Sequence, residues 1–201
     1  MTSRERLLTA WNHEEPDRVP IELQITPAAY EYPEAERIVE FIRNRADNFM
    51  GTPAMDFGFC GLPAEYTEER IEDVPDDFYR LKRTYRTEAG EFYAITKHSY
   101  HELLADLDFH WERRYIDDLD DMARLSEAPR PPVPVFEEAF SAAVEKIGGR
   151  GVPMVGVFHP LGWLVRNANM EEVYLWFAAE PAVMHRYLER TNEQVREAVS
   201  R

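Results

Sequence analysis

The sequence predicts an α/β protein built around a parallel sheet, and three patterns along the chain lead to this fold class. Helical and strand-like segments alternate through most of the length, which is typical of parallel α/β architecture. The clearest strand is the apolar segment 152–159, as expected for a strand covered on both faces. Residues 83–96 depart from the alternation and have the pattern of a β-hairpin.

The first helix is indicated by a capping box, in which Thr2 and Glu5 have the required spacing. Apolar residues recur at helical intervals after Glu5 until Pro16 ends the pattern. The short apolar segment 18–25 is predicted to be the first strand. A helical stripe follows within residues 33–49, and residues 48–60 are predicted to hold a second strand that ends in an irregular loop.

Residues 78–115 interrupt the alternation and are predicted to be a hairpin insertion, with a glycine-containing turn at 88–91. The Pro-rich connector 128–134 is stiff and extended. A helix over residues 136–147 follows it and ends at Gly148. After the strand at 152–159 we expect a helix over 161–166, a helix capped by Asn169, and a final helix opened by Pro181.

Composition favours one globular domain over residues 1–201, because 44% of the residues are hydrophobic and 30% are charged. The formal net charge of -15 argues against nucleic acid and anionic membrane surfaces as partners. The apolar runs are too short to span a bilayer, and a charged helix follows Met1, so a cytoplasmic location is expected. Cys60 is the only cysteine, which excludes an intrachain disulfide.

The N-terminal segment combines two motifs, Thr2-Ser-Arg-Glu-Arg-Leu-Leu8 and Glu15-Pro-Asp-Arg-Val-Pro20. Together they resemble the N-terminus of the uroporphyrinogen decarboxylase superfamily, which includes methyltransferases acting on corrinoid-bound or thiol-bound methyl groups. Residues 84–92 and 110–125 resemble the Thr-x-x-Gly-Glu hairpin and the following Asp-Leu helix of its methyltransferase-like branch. The resemblance implies a TIM (β/α)8 barrel, of which about three or four βα units would be present here.

An incomplete barrel exposes edge strands and part of its core. A missing barrel half or a homo-oligomer partner is therefore expected. In barrels of this type the reactive residues follow the carboxyl ends of the strands, and this rule selects the candidate site residues. The candidates for catalysis are His159 and Asp56. The candidates for substrate binding are Glu22, Gln24, Trp163, Arg166 and Asn167.

Each of these assignments has a structural alternative. His159, at the end of an apolar strand, could act as an acid, a base or a hydrogen-bond donor, or its imidazole could only bond a loop carbonyl. Asp56 could be a reactive carboxylate or a turn residue beside Gly58. Arg166 could bind a carboxylate or phosphate, or pair with a nearby glutamate. Cys60 is expected to be a small buried residue rather than a nucleophile.

A metal site is not predicted. His98 and His101, with Glu102 and His110 beyond, could complete a zinc or iron shell by residue type. Strand residues three positions apart point to opposite faces, however, so both histidines could not easily reach one ion. The glycines at 148–151 are expected to turn the chain rather than to bind phosphate.

The resemblance implies a protein of the corrinoid/cobalamin-dependent methyltransferase-like branch that handles a tetrapyrrole, a corrinoid or a methylated small molecule. Typical decarboxylases of the superfamily carry Met-Arg-Gln-Ala-Gly-Arg-Tyr after the first strand, whereas residues 22–27 here read Glu-Leu-Gln-Ile-Thr-Pro. The His-x-Cys pair and later Cys of its zinc-dependent methyltransferases are also absent from this sequence. No cofactor is therefore predicted within this chain, while zinc and a corrinoid are implied for a full-length family member.

Two alternatives stay open. The first is a true uroporphyrinogen decarboxylase, a lyase of porphyrin biosynthesis in which Asp56 or His159 takes part. The second is a catalytically inactive half-barrel that acts as an interaction module.

Overall fold

The computed structural model describes residues 1–23, 33–101, 109–157 and 159–201. These ranges hold seven α-helices, one two-stranded sheet and one four-stranded sheet, a mixed α/β architecture consistent with the predicted class. In chain order the elements are α1 (Ser3–Trp11), α2 (Glu36–Arg45), β1 (Asn48–Thr52), β2 (Glu65–Val74), β3 (Phe78–Thr87), β4 (Gly90–Ser99), β5 (Phe109–Arg113), α3 (Leu119–Glu127), α4 (Glu137–Ile147), β6 (Gly151–Val155), α5 (Pro160–Asn167), α6 (Met170–Ala179) and α7 (Pro181–Val199).

The contacts divide the chain into two compact units. The first unit comprises residues 1–55 and 135–156, and the second comprises residues 56–134 and 157–201. The single domain over residues 1–201 stays a prediction. Among the described helices, none combines the length and the apolar character needed to cross a bilayer.

In the first unit, helix α1 begins with the predicted capping box. The Thr2 hydroxyl accepts a hydrogen bond from the Glu5 N–H at 3.2 Å, and the Glu5 carboxylate accepts one from the Thr2 N–H at 2.8 Å. These two bonds satisfy backbone donors that the first turn of a helix leaves unpaired. The sequence signal for this helix start is thus confirmed.

Strands β1 and β6 pair in parallel, in a register that runs from Asn48 opposite Gly151 to Thr52 opposite Val155. The Thr52 hydroxyl adds a hydrogen bond to the Met154 carbonyl at 3.1 Å. The predicted strand in the 152–159 region is therefore present and parallel to its neighbour. It ends at Val155, earlier than expected; residues 156 and 157 are not strand, and residue 158 lies outside the described residues.

The predicted first strand is wrong for residues 18–23, which form no strand. Pro20 has no N–H to donate to a ladder. Side chains next to β1 supply partners instead: the Asp47 carboxylate accepts from the Ile21 N–H, and the Asn48 amide bonds both the N–H and the carbonyl of Leu23. The Ile21 carbonyl also accepts from the Asp47 backbone N–H at 2.7 Å, but this bond does not continue into a backbone ladder. Residues 24 and 25 lie outside the described residues.

The second unit contains the four-stranded antiparallel sheet, in the order β2-β3-β4-β5. Strands β3 and β4 form the predicted hairpin, closing where Thr87 pairs with Gly90. Gly90 has a φ of +108°, a conformation that glycine adopts without steric cost. That this hairpin is an insertion in a larger fold stays a prediction.

Helices α3, α5, α6 and α7 supply much of the core of the second unit. Its fully buried apolar side chains include Leu62, Phe92, Ile116, Met122, Leu125, Leu164, Val173 and Met184. Helix α7 begins at Pro181 as predicted and buries one face along its length. Helix α6 begins at the predicted cap, with the Asn169 side chain accepting from the Glu171 N–H at 3.0 Å.

Candidate functional site

A buried turn in the second unit (residues 59–62, hereafter the buried turn) is the most unusual local feature of the chain. Phe59 and Leu62 exchange two backbone hydrogen bonds of 2.9 Å each. Between them Cys60 and Gly61 adopt φ values of +51° and +86°, which match a type I′ turn. A side chain in this left-handed region costs about 1–2 kcal/mol, so cysteine is uncommon here.

Turns normally lie at the surface, where water satisfies their carbonyls, but Cys60 and Leu62 are each only 1% exposed. The carbonyls of the buried turn therefore need protein partners. Arg130 donates from Nη1 to the Cys60 carbonyl and from Nη2 to the Leu125 carbonyl. Gln194 on α7 donates both amide hydrogens, to the Gly61 carbonyl at 2.8 Å and to the Pro131 carbonyl at 2.7 Å.

The Cys60 thiol lies in a polar but water-excluded environment. Burial raises the pKa of Cys60 to about 12, despite the opposing effects of Arg130, Tyr187 and Asn167. The Asn167 amide nitrogen lies 3.7 Å from the Cys60 sulfur. The sulfur is thus a neutral thiol at physiological pH, and a thiolate nucleophile is not available.

Four buried polar atoms near the buried turn make no hydrogen bond of good geometry within the described part of the chain, although the Tyr187 hydroxyl lies close enough to the Cys60 thiol and the Thr191 hydroxyl to interact with both. The four atoms are Arg130 Nε, Tyr187 Oη, Thr191 Oγ1 and Gln194 Oε1. The three from α7 lie on one face of that helix, and their residues are at most 6% exposed. Leaving such an atom unpaired costs about 1–3 kcal/mol, so a concentration of them is a candidate binding region.

A cavity of about 180 Å³ (hereafter the turn cavity) opens beside the buried turn. Its lining comprises Asp56, Phe57, Gly58, Gly61, Pro63, Ala64, residues 131–134 and Gln194. The cavity lining therefore includes one of the two predicted catalytic residues, Asp56, and also Gln194, whose Oε1 is buried.

Asp56 is exposed, and its Oδ1 accepts a hydrogen bond from the Gly58 N–H at 2.8 Å. Asp56 therefore acts as a turn residue, which is the structural alternative considered for it above. Its carboxylate lies at the surface of the cavity. The backbone N–H of Asp56 donates to the Pro134 carbonyl at 3.2 Å, which joins the loop to the Pro-rich connector.

His159 lines a different depression, of about 260 Å³, together with Pro160, Leu188, Glu189 and Asn192. The exposed imidazole caps helix α5, because Nδ1 accepts from the Leu161 N–H at 3.2 Å. This contact differs from the loop-carbonyl bond considered from the sequence, because Nδ1 accepts from a backbone N–H rather than donating to a carbonyl. Asp56 and His159 are thus not brought together in one cavity.

The other candidates on α5 have distinct environments. Trp163 is 5% exposed and belongs to the hydrophobic core, with its ring 5.5 Å from that of Phe57. The Asn167 amide donates to the Trp163 carbonyl at 2.8 Å as well as approaching Cys60. Arg166 is exposed at the surface of the helix.

The remaining two candidates fall elsewhere. Glu22 is exposed and belongs to the first unit. Gln24 lies outside the described residues. Their roles in substrate binding, like those of the α5 residues, stay predictions.

Sequence reasoning missed Arg130, Tyr187 and Gln194. Tyr187 and Thr191 recur at helical spacing with the apolar residues of the last helix, and a hydroxyl within such a stripe is the one available signal. Arg130 and Gln194 give no local signal for the buried turn, because their partners in it, Cys60 and Gly61, lie 70 and 133 positions away in the chain.

No cluster of three or more histidine, cysteine, aspartate or glutamate side chains able to hold a metal occurs among the described residues. His98 is buried, 2.9 Å from the Thr96 hydroxyl, and stacks on Tyr79 with ring centroids 4.8 Å apart. His101 is exposed, and Glu102 lies outside the described residues.

No protein-family model, curated protein or solved structure matches this chain.

Proposed function

We propose that this chain belongs to the uroporphyrinogen decarboxylase superfamily, nearer its methyltransferase-like branch, and handles a tetrapyrrole, a corrinoid or a methylated small molecule. The proposal includes a (β/α)8-barrel-type fold in which the described elements form the N-terminal portion. The observation that carries it is the parallel pairing of β1 with β6. Parallel pairs need long crossover connections, and neighbouring strands of a (β/α)8 barrel are all parallel.

The register of this pair supports the choice of catalytic candidates. Thr52 and Val155 are paired at the carboxyl ends of the two strands. Asp56 and His159 each follow their strand by the same number of residues. In the proposed barrel, both would therefore belong to the rim where reactive side chains collect.

The two N-terminal motifs on which the resemblance depends also have a physical role. Arg6, from the first motif, pairs with Asp17 at 2.5 Å and with Asp47 at 2.6 Å. Arg18, next to Asp17 in the second motif, pairs with Asp47 at 2.6 Å. The motifs thus meet at one buried carboxylate beside β1, which is a reason for them to occur together and supports reading them as one signature.

Charge favours the methyltransferase-like branch over a true decarboxylase. A porphyrinogen with many carboxylates needs cationic partners in its binding site. Within the described residues, neither the turn cavity nor the depression at His159 has lysine or arginine in its lining. A corrinoid or a small methylated substrate imposes no such requirement.

The proposal is tested by titrating the whole protein with hydroxocobalamin and, separately, with uroporphyrin, and following binding by equilibrium dialysis. We expect saturable binding of the corrinoid and none of the porphyrin. Preferential binding of uroporphyrin would support the decarboxylase instead. A stably folded protein that binds neither compound would contradict both enzymes and favour the interaction module.

A further inference from the structure

We propose that a cavity of the first unit (hereafter the cationic cavity) binds a phosphate ester with an apolar body. The cavity measures about 670 Å³ and is lined by residues from the last turns of helices α2 and α4 and from strand β1. This volume lies within the range of about 300–1,000 Å³ that is usual for small-molecule sites. The inference rests on residues of the first unit alone and does not depend on the family assignment.

The charged side chains that line the cationic cavity within the described residues are all basic. They are Arg43 on α2, Lys146 on α4 and Arg150, which follows α4. This lining differs from the chain as a whole, in which 38 acidic residues outnumber 23 basic ones. Cations grouped around a cavity without a carboxylate favour an anion that carries more than one charge, such as a phosphate monoester.

Basic side chains in the last turn of a helix can also stabilise the carbonyls and the dipole at that end. At the end of α4, however, Arg150 donates from Nε to the Ile147 carbonyl at 3.3 Å and from Nη2 to the Lys146 carbonyl. At the end of α2, Arg18 donates from Nη2 to the Arg45 carbonyl at 3.2 Å. Arginines that lie outside these last turns thus bond the terminal carbonyls.

Arg43 and Lys146 are therefore available to a ligand. Both side chains are exposed, and neither forms an ion pair or a hydrogen bond within the described part of the chain. Arg43 presents a planar guanidinium that can bind two phosphate oxygens at once, and Lys146 presents a compact ammonium with three donors. An anion bound between them would not have to displace an existing contact of either side chain.

The rest of the lining provides an apolar surface next to these cations. Its apolar members are Ile42, Ala46, Met50, Ala143 and Ile147. Met50 and Ala143 are partly exposed, so a ligand can pack against them. Removing apolar surface from water stabilises a complex by about 25 cal/mol per Å², a contribution that inorganic phosphate cannot obtain. The combination favours an ester with an apolar body over the free phosphate ion.

The formal net charge of -15 repels anions from the protein at long range. At about 0.15 M ionic strength this repulsion is screened beyond about 8 Å, so carboxylates elsewhere in the chain have little effect on a ligand inside the cavity. Binding is therefore best measured at that ionic strength.

The test is isothermal titration calorimetry of the whole protein with 1-naphthyl phosphate, with 1-naphthol and inorganic phosphate as probes of the two parts of the ligand. We expect the ester to bind at least tenfold more tightly than either probe. Arg43→Gln and Lys146→Gln should each weaken its binding about tenfold, the loss expected for one charge-assisted hydrogen bond. Arg45→Gln is the matched control, because Arg45 is in the same last turn of α2 but is not among the described lining residues. It should leave the affinity nearly unchanged.

Ala143→Leu provides an independent variant, because it adds bulk to the apolar part of the lining and leaves the three cations in place. It should weaken binding of the ester at least tenfold with an unchanged circular dichroism spectrum. Equal affinity for either probe, equal losses in Arg43→Gln and Arg45→Gln, or unaltered affinity in both Arg43→Gln and Lys146→Gln would each overturn the proposal. None of these residues is a candidate for the corrinoid site, so the two proposals fail separately.

Discussion

Arg6 and Asp47 form a buried ion pair in the first unit, with Arg6 Nη1 2.6 Å from Asp47 Oδ1. Asp47 is completely buried and Arg6 is 7% exposed. Asp47 also accepts a hydrogen bond from the Ile21 N–H and pairs with Arg18. One carboxylate therefore joins helix α1, the segment 18–23 and the start of β1.

Replacing Asp47 with alanine should lower the free energy of unfolding by about 3–5 kcal/mol, the usual cost of removing one partner of a buried ion pair. The loss arises because Arg6 stays buried without its counter-charge and the Ile21 N–H loses its acceptor. Urea denaturation followed by circular dichroism measures it. Asp17→Ala removes a partner that is 41% exposed and should cost clearly less; equal costs for the two variants would contradict the central role of Asp47.

The same network predicts a loss of stability in acid. Burial tends to raise the pKa of Asp47, but hydrogen bonds from the Ile21 N–H, Arg6, Ser3 and Arg18 outweigh it and hold the pKa below its ordinary value. The Arg6 hydrogen bond is the main cause of a depressed pKa at Asp17. Because both carboxylates bind protons less readily in the folded state, their contribution is complete above about pH 4–5 and is lost as the pH falls further.

Urea midpoints measured between neutral pH and pH 3 test this. The wild-type midpoint should be flat near neutrality and fall below about pH 4–5, where these carboxylates become protonated in the unfolded chain. In Asp47→Asn the midpoint should start lower and fall less steeply. The same acid slope in both proteins would show that other carboxylates govern the acid transition.

Any side chain at Gly61 should lower the free energy of unfolding. Gly61→Ala would place a Cβ 2.5 Å from Gln194 Oε1 and 2.8 Å from Arg130 Nη1, in a backbone conformation with φ of +86°. We expect it to lower the free energy of unfolding by about 2–4 kcal/mol through strain and overpacking together. Gly51→Ala is the control, because Gly51 has no positive φ and nothing lies within 4 Å of the new Cβ.

The control should therefore leave the free energy of unfolding nearly unchanged. Thermal unfolding of both variants provides the comparison. If Gly51→Ala is as destabilising as Gly61→Ala, the positive φ and the Gln194 and Arg130 contacts do not explain a requirement for glycine in the buried turn.

Features with a local signal could be predicted from the sequence. The spacing of Thr2 and Glu5 indicates a helix start whatever lies around it, because the capping bonds stay within one turn. The glycine turn between β3 and β4 and the apolar run before Val155 are likewise local patterns. These patterns indicate which segments form strands, but they do not indicate which strands pair with one another.

Features that depend on distant residues could not be predicted. The apolar segment 18–23 has a strand-like composition, but the Asp47 and Asn48 side chains bond the Ile21 N–H and both backbone groups of Leu23, while the Ile21 carbonyl accepts from the Asp47 backbone N–H. Strand β2 carries so many charged residues that it shows no alternation, yet it pairs along its whole length with β3. In the candidate site, the role of Gln194 can be recognised only from the folded structure, in which its amide nitrogen donates to the Gly61 carbonyl.

The last prediction separates the two roles available to His159. Its Nδ1 caps helix α5 by accepting from the Leu161 N–H, so a simple truncation would confuse chemistry with stability. His159→Ala should lower the free energy of unfolding by about 1 kcal/mol, whereas His159→Asn supplies another capping side chain and should leave the melting temperature nearly unchanged. If the imidazole is a reactive group of the proposed methyltransferase-like site, His159→Asn should still lower turnover of a corrinoid-bound methyl group by at least tenfold, because general acid–base groups typically contribute about 100-fold or more. Turnover equal to wild type in the folded His159→Asn protein would leave His159 with its capping role alone.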